Sequence, residues 1–295
     1  MSTFHLAVIT DLTLPDWIGG GTLVNDYVAQ CARAQGVQVS YIRINPAVDE
    51  WKDFDHANVD AYFVANIPHM PVSYMLELVN SKKRYVMFRH DIASLCYTES
   101  PDAQPAARLL RFLFDNAVAN FFISPLQLAY YQKVCPVPRA YCVPPPLDLG
   151  AFLDGNRAER KGHLYLGEIA AARGIEESLA AMVAQSDGTP MSFYGQAVEP
   201  PLAAQVRSAG AQIHEAIPHS EVPALLNQYQ HFYYHPRIVD AFCLKVLEAE
   251  LCGMQLHVNR NNIGRYFYSD PAPAIADFMK NTSAQMIVQK ILGAN

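Results

Sequence analysis

Residues 231–253, HFYYHPRIVDAFCLKVLEAELCG, read as a strand, a loop and a helix in succession. The aromatic run His231–His235 has strand character, and the helix carries Glu248 eight positions after Asp240, with Ala249 and then Cys252-Gly253 following. Asp240 is expected on the loop behind a buried strand, and Glu248 more than one turn inside the helix. Between the two acids lie the helix's exposed amides and positive amino end, a place suited to a diphosphate. The two carboxylates then stand where they can hold neutral hydroxyls on either side.

The same strand-and-helix alternation extends in both directions from this segment. His163–Leu166, Met191–Tyr194 and Gln255–Val258 are further strand candidates separated by helical stretches, which predicts a Rossmann-like unit. In the first half Leu6–Ile9 precedes Gly19, Gly20 and Gly21. A helical pattern then begins near Thr22, with Leu23, Tyr27 and Cys31 on its buried side and Gly36 as its stop. Val37–Ile42, Ala61–Val64, Tyr85–Phe88 and Asn120–Ile123 read as strands, and Val72–Val79 and Ala106–Ala117 as helices. Such alternation predicts an α/β fold with parallel sheets covered by helices. Val143-Pro144-Pro145-Pro146 lacks the amide donors for regular structure, and the polar stretch Asp154–Gly162 reads as a linker. The tail Pro271–Leu292 is helical in pattern, with Ile275, Phe278 and Met279 on one face and Ile287, Ile291 and Leu292 beyond.

A chain of 295 residues with 51% hydrophobic and 17% charged residues suits two globular domains. The net charge of −6 argues against broad attraction to nucleic acid or an anionic membrane. Met1–Thr10 has no basic region followed by a long apolar run, and no apolar stretch reaches a membrane span, so no stable membrane insertion is expected. Cys31, Cys96, Cys135, Cys142, Cys243 and Cys252 show no paired short spacing of a zinc or redox motif. A reducing, cytoplasmic location is the expectation.

The segment from Asp240 to Gly253 resembles the Glu-seven-Glu signature of glycosyltransferase family 4, where acid, Gly, Phe, Gly and Leu lead into a helix ending Glu-Ala with a Gly soon after. Asp240 stands at the usual Glu. His163-Leu-Tyr-Leu-Gly-Glu-Ile with Arg173-Gly-Ile resembles that family's Gly-Arg and Lys-Gly, so Arg173 keeps the second cation while Glu168 replaces the first. A carboxylate aimed inward there repels phosphate. Lys245, one turn into the key helix, and Arg237, on the loop, are candidates for the missing charge. The resemblance covers most of the chain and is most specific at 240–253.

The resemblance implies a GT-B architecture of two facing Rossmann-like domains: residues 1–158 on the acceptor side, 159–270 binding the nucleotide-sugar donor, and a C-terminal helix, 271–295, crossing back to the first. It implies a retaining, metal-independent hexosyl transfer from a UDP- or GDP-sugar, with no other cofactor. Asp240 is then the donor-sugar acid, and the amides near Phe242, Cys243 and Leu244 approach sugar and phosphate. Glu248 binds ribose hydroxyls, and Gly195 and Ile217 border the nucleobase. Gly20 and Gly21 allow close approach of backbone. His90-Asp91 matches the family's active-site pair, with Asp91 or a neighbour orienting the His90 ring. The acceptor is open among a glycan, a lipid, a small metabolite and, less in keeping with the charge, a modified nucleic acid. Glu168 and Asp240 also leave open a nucleotide- or sugar-binding protein of this fold with weak or no turnover. A nicotinamide-dependent dehydrogenase ranks last, because the three glycines do not form a dinucleotide fingerprint.

Overall fold

A computed structural model describes residues 3–14, 19–65, 67–97, 104–153, 160–185 and 188–293. The chain divides into two compact units, residues 1–147 with 277–295, and residues 148–276. The division falls ahead of the polar stretch read as a linker, whose residues 154–159 lie outside the described residues.

In the first unit the elements are β1 (His5–Thr10), α1 (Gly20–Ala34), β2 (Gln38–Asn45), β3 (Val48–Asp49), β4 (Ala61–Val64), α2 (Val72–Asn80), β5 (Arg84–Arg89), α3 (Gln104–Asn116), β6 (Ala119–Phe122), α4 (Pro125–Val134) and β7 (Ala140–Cys142). Seven strands form one sheet in the order β3-β2-β1-β4-β5-β6-β7, parallel except for the short edge strand β3. The central strands are buried on both faces; Leu6, Ala7 and Val8 are fully enclosed, as a sheet covered by helices requires. Helix α4 starts where Ser124 caps it, accepting from the Gln127 amide at 3.1 Å, with Pro125 in the first turn.

Helix α1 does not bury the side expected from its four-residue spacing. Its enclosed residues are Thr22, Val24, Asn25, Val28, Ala29 and Ala32, whereas Leu23, Tyr27 and Cys31 are half-buried. Tyr27 instead donates to the Lys280 carbonyl at 3.0 Å, in the C-terminal segment of the same unit.

The second unit contains β8 (His163–Leu166), α5 (Ile175–Gln185), β9 (Met191–Tyr194), α6 (Pro200–Ser208), β10 (Gln212–His214), α7 (Val222–Leu226), β11 (His231–Tyr234), α8 (Leu244–Leu251), β12 (Gln255–Val258) and most of α9 (Ala272–Phe278). Its five strands are all parallel, in the order β10-β9-β8-β11-β12. A π-type turn at Met279–Ser283 then leads to α10 (Ala284–Leu292), which packs on α1, β4 and β5 of the first unit. The tail is therefore helical without a break from Ala272 to Leu292, as expected, with a five-residue π segment at Met279–Ser283 in its middle. Its core side is Ile275, Met279, Ile287, Val288 and Ile291, while Phe278, expected on that side, is 37% exposed and Leu292 half-buried.

Each sheet has a point where the chain reverses its direction of growth. In the first, β1 leads outward to β2 while β4 lies on the other flank of β1; in the second, β8 leads out to β9 and β11 returns to its other side. Connections leaving neighbouring strands in opposite directions open a crevice at the carboxyl ends of β1 and β4, and again at those of β8 and β11.

Candidate functional site

The second crevice collects the charged residues. Beyond β8, Gly167 has φ of 136°, a conformation open to glycine. A Cβ there would stand 2.6 Å from Lys245 Nζ, so the ammonium lies directly over the strand end. Lys245 Nζ is also 3.9 Å from the centre of the Tyr234 ring on β11, a cation–π contact. Burial pulls the Lys245 pKa below its ordinary value, against the opposing pull of neighbours that include Asp240.

Arg173 ends a 3₁₀ turn at Ala171–Arg173 and is followed by Gly174, whose φ of 67° and close approach to the His235 carbonyl exclude a side chain. Arg173 Nε lies 3.3 Å from Glu168 Oε2. Glu168 thus pairs with the cation beside it, and both side chains keep appreciable exposure, 33% for Arg173 and 46% for Glu168. Burial opposes the Arg173 charge, but Tyr234, Asp240 and Glu168 together raise its pKa. Arg237 is engaged elsewhere, with Glu176 and, at 2.7 Å, Glu177 of α5.

Asp240 is fixed at both ends. Its backbone amide donates to the Asn262 carbonyl at 2.8 Å and its carbonyl accepts from the Gly264 amide at 2.9 Å. The carboxylate accepts from the Tyr234 hydroxyl at 3.0 Å and from the Phe242 amide at 3.3 Å. Of the loop amides singled out from sequence, Phe242's is therefore occupied by Asp240 itself. Cys243, buried and at the left-handed φ of 70°, turns the chain into α8. The amides of Leu244 and Lys245 fall in the first turn of this helix, where no intrahelical carbonyl reaches them.

Glu248 has only 4% of its side chain exposed, and His219 Nε2 donates to its Oε1 at 2.8 Å. His219 opens a 3₁₀ turn at His219–Glu221, just past the loop holding Ile217, which is half-buried. The hydrogen bond that His219 donates to Glu248 raises the His219 pKa, against burial, which lowers it. Gly195, after β9, has a packing reason to be glycine: at φ of 150° a Cβ would come 2.0 Å from the Gly167 carbonyl oxygen.

In the first unit, His90 follows β5 and its Nε2 donates to Asn25 Oδ1 on α1 at 2.7 Å. Asn25 in turn donates to Thr10 Oγ1 at the end of β1 (3.3 Å), and Thr10 to the Leu12 carbonyl (3.0 Å). Burial, with help from Arg89, pushes the His90 pKa down to about 3. A neutral ring donating from Nε2 leaves Nδ1 as an acceptor. Asp91 is exposed, and its carbonyl accepts from Gln127 Nε2 at 3.1 Å and from the Tyr131 hydroxyl at 2.9 Å.

The structure brings Gly21 and His90 together; a Cβ on Gly21 would rest 3.5 Å from the imidazole, an ordinary contact. Gly20 opens α1, exposed, and Thr22 closes the helix entry by accepting from the Gly19 amide and donating to the Gly19 carbonyl. Neither Gly20 nor Gly21 has positive φ.

Two residues escaped the sequence reading as participants, Tyr234 and Asn25, and so did the pairing of His219, on the loop Ala216–His219 that resembles the family's nucleobase-facing loop, with Glu248. Asn25 carried a weak signal, being a polar residue between Val24 and Val28 one turn after Gly21. Tyr234 carried none, because its hydroxyl matters only through Asp240 on the next loop. Among the described residues no group of three or more His, Cys, Asp or Glu side chains is arranged to hold a metal ion, and no helix is long and apolar enough to cross a membrane.

No protein-family model and no curated protein matches the chain. Solved structures do. HepE of Anabaena in complex with UDP superposes with a TM-score of 0.67 at 13% identity, over 98% of this chain and 95% of that one. Sucrose-phosphate synthase of Thermosynechococcus elongatus gives 0.67 at 15%, over 99% and 94%. The apo lipopolysaccharide outer core galactosyltransferase WaaB gives 0.64 at 10%, over 99% and 100%. Likeness at such low identity is a statement about the fold: two Rossmann-like units with parallel sheets, the GT-B architecture that these glycosyltransferases share.

Proposed function

We propose that this protein is a glycosyltransferase that moves a sugar from a nucleoside-diphosphate sugar, a UDP-sugar in the first instance, to an acceptor hydroxyl. One observation carries the reading. At the crevice between β8 and β11, helix α8 presents the first-turn amides of Leu244 and Lys245, with Asp240 on the loop before it, Glu248 one turn further in and Lys245 and Arg173 beside the strand ends. The solved structures of HepE with UDP and with UDP-glucose share this fold and support a uridine nucleotide as donor.

In this reading the diphosphate meets the α8 amides, and its charge is balanced by Arg173 and Lys245 without a metal. Glu248 accepts from the ribose hydroxyls. Asp240, oriented by Tyr234, accepts from hydroxyls of a hexose. Ile217 and the loop at Gly195 border the base. His90, neutral at physiological pH, contributes Nδ1 as an acceptor for the donor sugar, beside Gly20, Gly21 and Asp91. In the reaction the bond from the anomeric carbon to the phosphate oxygen breaks, and the acceptor oxygen bonds to that carbon from the same face, with retention. The acceptor's proton passes to the departing diphosphate, whose developing charge the amides and cations stabilise.

The test is incubation with UDP-glucose, UDP-galactose and GDP-mannose, following released nucleoside diphosphate. Release from a UDP-sugar that is lost in Asp240→Asn supports the enzyme. UDP binding with no release from any donor is the outcome expected of a binding protein, in which Glu168 beside Arg173 weakens the positive field at the phosphate.

A further inference from the structure

We infer that His219 is the positioning residue for Glu248: it locks one carboxylate oxygen so that the other faces the donor's ribose hydroxyls. This rests on the proposal that Glu248 binds ribose. Glu248 is a buried carboxylate on α8, and His219 Nε2 donates to its Oε1 at 2.8 Å. A buried carboxylate without a partner is costly and rotates or takes up a proton. With His219 in place the carboxylate is held in one rotamer, and Oε2 remains to accept from two adjacent hydroxyls.

His219 is itself held from the other side. The Phe152 ring of the turn Gly150–Phe152 lies 5.6 Å from the imidazole, and Glu248 is the charged group that sets its protonation. The bond crosses from the loop after β10 to α8, so it ties the loop reading the base to the helix reading the ribose. A neutral amide at 219 still donates one hydrogen bond, whereas a methyl does not.

Affinities of UDP and of its 2′,3′-dideoxy analogue, measured by calorimetry on the full chain, test this. The unaltered protein is expected to bind UDP at least about tenfold more tightly than the analogue, the worth of a hydrogen bond to a charged group. In His219→Ala this preference collapses towards unity while affinity for the analogue stays within about twofold, which also shows that the variant is folded. His219→Gln retains most of the preference. In the unaltered protein the preference falls no further than the His219→Gln level as pH rises through the elevated His219 pKa, because the neutral imidazole still donates from Nε2, and in His219→Gln it does not change. An equal loss for both nucleotides in His219→Ala, or an unchanged preference, overturns the assignment while leaving the donor proposal standing. Failure of the unaltered protein to bind UDP at all overturns both.

Discussion

Two histidines stand on loops of the two units, His90 at the carboxyl edge of one sheet and His219 beyond the last edge strand of the other, and their surroundings drive them in opposite directions. His90 is buried, hydrogen-bonds to the neutral Asn25 and through it to Thr10, and with Arg89 next in sequence is held neutral with a pKa of about 3. His219 meets the buried carboxylate of Glu248, and the hydrogen bond to it raises the His219 pKa, favouring the charged ring. The lesson is that topology supplies the place and the partner supplies the charge state. One unit offers a neutral hydrogen-bonding edge suited to hydroxyls, and the other a cluster of cations, acids and amides suited to a nucleotide.

The contrast is open to attack at several points, beginning with the scaffold. Gly174→Ala places a Cβ against the His235 carbonyl at positive φ. Denaturant unfolding should show a loss of at least about 2 kcal/mol, backbone strain adding to the clash. Next in size, Glu248→Ala should weaken UDP binding by about 1.5–3 kcal/mol, the cost of one charged hydrogen-bond partner, read by calorimetry. Unchanged affinity would remove the nucleotide from this edge.

The histidines separate on pH. His90, with its folded pKa below that of the unfolded chain, contributes stability that is present above pH about 6.5 and lost as pH falls towards 3, with a slope of up to about 1.4 kcal/mol per pH unit. His90→Gln should flatten that limb of the stability profile. His219 has the opposite sign: its contribution is complete below pH about 6.5 and is lost as pH rises through its elevated folded pKa, so His219→Gln should flatten the neutral-to-alkaline limb. Equal profiles for the two variants would erase the distinction between the edges. Smallest is Tyr234→Phe, which removes one hydroxyl from Asp240 and should cost about 1.5 kcal/mol of stability, the lower end for a hydrogen bond to a charged group.

Much of the fold was legible because central strands of a covered sheet are apolar on both faces. His163–Leu166, Met191–Tyr194 and Ala61–Val64 coincide with β8, β9 and β4, and the edge strand Gln255–Val258 coincides with β12. The outer strands β3, β7 and β10 passed unread, being two or three residues long. Helix α4 was missed for a different reason: it has no clear apolar stripe, and its signal is the Ser124-Pro125 cap. In α1 the spacing of Leu23, Tyr27 and Cys31 chose the wrong side, because small and polar residues, Ala29, Ala32, Thr22 and Asn25, fill the closer approach to the sheet.

The order of residues alone determined the alternation of strands and helices, the place of Asp240 and Glu248 on either side of a helix start, and the histidine behind β5. These follow from local rules, the burial period of each element and the turn that joins it to the next. The partners were decided only in three dimensions. Glu168 stands five residues from Arg173 and reads as a hostile charge, yet the turn between them folds it onto that arginine. His219 and Asn25 meet Glu248 and His90 across 29 and 65 residues of chain. Hydrogen bonds of that span depend on sheet order and helix packing, and a pKa depends on the partner, so neither is written in any local stretch.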